Sequence, residues 1–175
     1  MRRAFFALAA LAVVAVAVYW FGLRGSSTPT AAAQPVRPVA QIGEGKRVIV
    51  IGDDGKVLGS AAGKKASLPV LPLKKRPTGG QVGGHVREEV RILAAAPKAF
   101  RPYLAKTSWG GHGVVVELTS GIEIRFGRQN EPTRKWEAAA AVLADPSVTM
   151  LSYVDVESPT RPAAKGDEHE LPPVN

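Results

Sequence analysis

The sequence predicts an α+β protein: a single N-terminal transmembrane helix, then a small domain whose antiparallel sheet carries two covering helices. Three observations predict it. An uncharged run of twenty residues, Ala4 to Leu23, lies between Met1-Arg2-Arg3 and Arg24. Short apolar runs of period two flank glycine-containing turns. Two longer stretches, near residues 85–96 and 130–144, repeat apolar residues at helical spacing.

At the rise of an α-helix the first run spans about 30 Å, the hydrocarbon thickness of a bilayer. Arg2, Arg3 and the terminal amine mark the cytoplasmic side, and Tyr19, Trp20 and Phe21 suit the opposite interface, so the chain is expected to sit N-in, C-out. A cleavable signal ending near Ala31-Ala32-Ala33 is the alternative. Its apolar core would be unusually long, and the aromatic cluster is a poor approach to a peptidase. Either way, residues 25–175 face the outside.

The expected division is a cytoplasmic tail at 1–3, a transmembrane helix at 4–23, a linker at 24–45, a β domain at 46–164 and a disordered tail at 165–175. The linker is rich in Ser, Thr, Pro, Ala and Gly and has no apolar period. Arg47 to Ile51, Gly52-Asp53-Asp54-Gly55 and Lys56 to Leu58 then predict a β-hairpin, because Asp and Gly accept the positive φ of a tight turn. Lys64 to Gly84 is broken by Pro69, Pro72, Pro77 and four glycines, and reads as an extended strap packed through Leu68, Val70, Leu71 and Leu73.

The helix from His85 to Ala96 places Val86, Val90, Leu93 and Ala94 on one face, with Arg87, Glu88 and Arg91 outside, and Pro97 stops it. Val114 to Leu118 and Ile122 to Phe126, joined by Thr119-Ser120-Gly121, predict a second hairpin, with Ile122, Ile124 and Phe126 inward and Glu123 and Arg125 outward. Asn130 and Pro132 open the next helix, whose inward stripe is Trp136, Ala140 and Leu143; Asp145-Pro146 closes it. Leu151 to Val156 reads as the last strand, ahead of Pro159 and Pro162.

The chain has no cysteine, which excludes disulfides, thiolate metal sites and a cysteine nucleophile. Residues 25–175 carry 20 Lys/Arg against 15 Asp/Glu, and residues 46–80 hold eight bases against two acids. That segment makes Lys64, Lys65, Lys74, Lys75 and Arg76 candidates for contact with anionic lipid or wall polymer, or simply a solvated loop.

No catalytic or metal-binding motif emerges. His85, His112 and His169 are scattered. Ser108 and His112 lack a nucleophile elbow and an orienting carboxylate, and Gly79 to Gly84 lacks the lysine and hydroxyl of a phosphate loop. Glu88 and Glu89 project about 100° apart on a helix, so they do not pair as acid and base. No enzyme activity and no cofactor are expected. An unpaired edge on the last strand would, however, offer its amides and carbonyls to another polypeptide.

In order along the chain, Val48-Ile-Val-Ile-Gly-Asp-Asp-Gly-Lys-Val-Leu58, Leu68-Pro-Val-Leu71, Val90-Arg-Ile-Leu-Ala-Ala-Ala-Pro97, Val114-Val-Val-Glu-Leu-Thr-Ser-Gly121, Ile124-Arg-Phe-Gly127, Lys135 with Val142-Leu143, and Tyr153-Val-Asp-Val156 with Pro159 resemble the C-terminal β domain of the bacterial cell-division family FtsQ/DivIB, across roughly residues 46–164. The resemblance implies a non-enzymatic, single-pass divisome component at the septum, whose outer domain recruits FtsB/DivIC-type and FtsL-type bitopic partners. It also implies that the last strand accepts a strand from the partner, a role that falls on Leu151, Ser152, Tyr153, Val154, Asp155, Val156, Glu157 and Ser158. Residues 25–45 are too short for the POTRA domain that the family places between anchor and β domain.

Overall fold

A computed structural model describes residues 35–43, 45–62 and 68–172. The expected tail Met1-Arg2-Arg3, the helix Ala4 to Leu23 and most of the linker lie outside the described residues. Among those described, no helix is long and apolar enough to cross a membrane.

Among the described residues nine strands make one sheet: β1 (Pro38–Ile42), β2 (Arg47–Gly52), β3 (Val57–Ala62), β4 (Val70–Leu71), β5 (Leu104–Gly110), β6 (Gly113–Leu118), β7 (Glu123–Gly127), β8 (Met150–Asp155) and β9 (Ala163–Glu170). Their order across the sheet is β3-β2-β1-β4-β5-β6-β7-β8-β9. Two α-helices among the described residues pack with it, α1 (Gly84–Ala94) and α2 (Pro132–Leu143).

The sheet is mixed rather than antiparallel. β1 with β4, β4 with β5, and β7 with β8 run parallel. The cause is topological. A helix lies between β4 and β5 and another between β7 and β8, and a chain that crosses a sheet through a helix returns parallel. Both crossovers step the same way across the sheet, so a shared right hand puts both helices on one face. Trp136 on α2 accordingly donates from Nε1 to the Ile92 carbonyl on α1 at 2.8 Å.

The hairpins form as their turns predict. Gly55 takes φ 83° between β2 and β3, and the Asp54 carboxylate accepts the Lys56 amide at 3.0 Å. Gly121, at φ 95°, turns β6 into β7. The core lies between sheet and helices: Val114, Val116, Leu118, Ile122, Ile124 and Phe126 from the sheet meet Val90, Ile92, Leu93, Trp136 and Ala139 from the helices. Trp136 packs with Phe126 and Phe100 at centroid distances of 4.7 and 5.3 Å, so it is a core residue.

Both expected boundaries of the β domain move outward. β1, read as linker, is paired on both sides, and its Ala40 and Ile42 are buried. The expected disordered tail instead holds β9, an antiparallel neighbour of β8. Ser108 lies on β5. The second helix is capped differently as well. Glu131, not Asn130, occupies the N-cap, at φ 49° and without a side-chain capping bond.

Candidate docking edge

Leu151 to Ser158, the residues singled out for strand addition, are not an open edge. On one side β8 runs parallel to β7, with Glu123 opposite Tyr153 and Ile124 opposite Val154. On the other it is antiparallel to β9, with Tyr153 opposite Lys165 and Val154 opposite Ala164. Leu151, Val154 and Val156 are buried in the core. Ser152, Tyr153 and Asp155 are half-buried, and only Glu157 and Ser158 are exposed, where the chain leaves β8.

The last described strand is therefore β9, and its outer edge has no strand beside it among the described residues. Ala163 to Glu168 are all exposed. The pairing slips by two residues between Leu151–His169 and Tyr153–Lys165, so β9 carries a bulge. Gly166 sits within it at φ 106°, and a Cβ there would fall 1.7 Å from Ser152 Oγ. The bulge thus requires glycine twice over, for conformation and for space. His169 returns the strand to register and lies over Gly121, where a Cβ would meet its ring at 2.8 Å.

On the face away from the helices, Arg125 lies 3.6 Å above the Tyr153 ring and pairs with Glu123 at 3.0 Å. These side chains, with Ser152, Lys165 and Gly166, line a concavity of about 420 Å³ beneath β9. Lys165, Asp167, Glu168 and Glu170 make this edge polar and mostly acidic. A strand edge of this kind offers main-chain amides and carbonyls with which an extended polypeptide can pair. It contains no nucleophile and base in contact.

The opposite edge, β3, is uncharged from Val57 to Ala62, but Leu58 is an extra residue in its pairing with β2 and stands 44% exposed.

Elsewhere His85 stacks on Trp109 at 3.9 Å, and among the described residues no cluster of His, Cys, Asp or Glu could hold a metal ion. The sequence reading missed two buried charges. Lys135 on α2 donates from Nζ to the carbonyls of Phe126 and Arg128 and to Asn130 Oδ1, at 2.7, 2.9 and 3.1 Å. Burial lowers its pKa, while Glu157, Glu131 and Asp155 act to raise it. Glu89 on α1 accepts the Thr107 hydroxyl at 2.5 Å, and its other oxygen has no partner. Burial raises its pKa, and the Thr107 bond opposes the rise. Their polar side chains hid both residues from a reading based on apolar period.

The family model for the C-terminal domain of the cell division protein FtsQ/DivIB matches residues 40–157. Among solved structures the chain is similar to the major extracytoplasmic domain of the trans isomer of the bacterial cell division protein DivIB from Geobacillus stearothermophilus. The identity is 19% and the TM-score 0.43, over 64% of this chain and 94% of that one. No curated protein matches.

Proposed function

The chain belongs to the FtsQ/DivIB cell-division family through its C-terminal domain, and on that premise we propose that it is a membrane-anchored divisome component that recruits its partner by strand addition to the outer edge of β9. The family is non-enzymatic. The carrying observation is that, among the described residues, β9 ends the sheet with no strand on its outer side. It replaces β8 in the role first given to Leu151–Ser158, because the family's docking strand is the last one and β8 is enclosed by β7 and β9. β8 then supports β9 from beneath, and the exposed Glu157 and Ser158 flank the docking edge. The partner is a single-pass protein of FtsB/DivIC or FtsL type, and the domain acts outside the membrane at the septum, tethered by the apolar run Ala4 to Leu23.

Photocrosslinking in living cells tests the edge, with probes at Lys165 and Glu168 and a control probe at Arg87 on the exposed side of α1. We expect a single-pass division protein, identified by mass spectrometry, from the β9 probes and not from Arg87. An Asp167→Pro substitution, which removes one amide from an exposed strand, should abolish that capture while the chain stays folded. Equal capture from all three positions, or unchanged capture by a folded proline variant, would defeat the assignment.

A further inference from the structure

Five cations gather where the topology does not require them. Ile42 stands opposite Ile49 on one side and Leu71 on the other, so β1, β2 and β4 share one cross-strand row. Beyond that row, at the same end of the sheet, Lys46 and Arg47 enter β2, and the chain leaves β4 through Leu73 into Lys74, Lys75 and Arg76. All five side chains are exposed. Among the described residues none of them makes an ion pair, whereas Arg37, Lys56, Lys106, Arg125, Arg128 and Arg134 each face a carboxylate within 4 Å. Glu44, outside the described residues, is the one acid in these two segments.

Pro72 and Pro77 bracket the second cluster, and Leu73 packs against the core, so the strap is held at its root while its charged side chains stay in water. Exposed bases that make no ion pair among the described residues match the diffuse negative charge of a headgroup layer. Residues 24–35 of the linker reach at most about 40 Å, against about 17 Å for a strand as long as β1, so an anchored domain can bring this end to its own bilayer. The tether also raises the effective concentration of headgroups around the strap.

We propose that Lys46, Arg47, Lys74, Lys75 and Arg76 form a contact surface for the anionic phospholipid headgroups of the bilayer that anchors the chain, an inference that rests on the anchor proposed above. Docked there, the domain presents a fixed side to the membrane and leaves β9, at the far edge of the sheet, to the partner.

Hydrogen exchange of the full chain tests this in two kinds of lipid nanodisc, one of phosphatidylcholine alone and one with about a third phosphatidylglycerol. The amides of residues 73–76 should exchange about tenfold more slowly in the anionic discs, with β9 unchanged. High salt should remove the effect, as should the triple variant Lys74→Gln, Lys75→Gln, Arg76→Gln. Equal exchange in both discs, with the chain embedded in both, overturns the lipid contact and leaves the anchor standing. A chain that embeds in neither disc refutes the anchor; flotation with phosphatidylglycerol vesicles then decides the surface, kept if the triple variant loses binding and overturned if the parent chain never binds. Equal protection by soluble polyphosphate in phosphatidylcholine discs would assign the surface to free phosphate instead.

Discussion

Glu89 and Lys135 show how a small core carries charge at two levels of satisfaction. Lys135 spends its three protons on three acceptors and pins the segment from Phe126 to Asn130 against the start of α2. Glu89 keeps one oxygen without a partner, and burial holds its carboxyl above the ordinary glutamate range. Between that ordinary value, about 4.3, and the raised value, the folded chain binds a proton that the unfolded chain has released. Stability from this group is therefore full on the acid side and falls as pH rises through that window. Replacing Glu89 with Met removes the buried carboxyl at nearly constant volume. Urea unfolding at pH 5 and pH 8 should show the variant about 1–2 kcal/mol more stable than the parent at pH 8, with the difference shrinking towards pH 5. A variant destabilised equally at both values would show that the Thr107 bond outweighs the cost of burial.

At the scale of elements, backbone conformation decides what side chains alone leave open. α2 begins at Glu131 in the left-handed region, φ 49° and ψ 44°, where an L-residue is strained and glycine is not. Glu131→Gly should raise the thermal midpoint by a few degrees, about 0.5–1 kcal/mol, since the exposed pair with Arg134 that it gives up is worth little; a lowered midpoint would show that the pair or the glycine's entropy dominates. Elements with a strong period were legible in the sequence: the Asp-Gly hairpin, α1, the strands around Gly121, α2 and β8. β1, β5 and β9 were not. Pro38-Val-Ala-Gln-Ile42 and Leu104-Ala-Lys-Thr-Ser-Trp-Gly110 carry few β-formers, and become strands because their neighbours complete their ladders. β9 has the composition of a disordered tail, and what makes it a strand is the ladder offered by β8 together with a glycine at the one point where the pairing slips. The strand that ends the sheet among the described residues is thus β9, one strand later than the sequence reading of the last strand.

For the whole molecule, the position of β9 separates two accounts of how the family's edge works here. The family model ends at residue 157, before β9 begins, and among the described residues β9 pairs with β8 alone. If the partner's strand belongs on β8, then β9 is a cover, and deleting residues 163–175 should strengthen capture. If the partner adds to β9, the same deletion removes the docking strand. We expect loss of capture, because β8 is already enclosed and because β9, with Gly166 fitted against Ser152, is built to stay in place. The deletion has a second consequence that does not depend on the partner. It uncovers the ladder of Met150–Asp155, in which Asp155 is the one charged residue, and open, largely uncharged edges pair with copies of themselves. Sedimentation of the truncated chain in detergent should therefore show self-association absent from the full chain, alongside lost capture of the division partner. A truncated chain that gains partner binding and stays monomeric would return the docking role to Leu151–Ser158 and make β9 its cover.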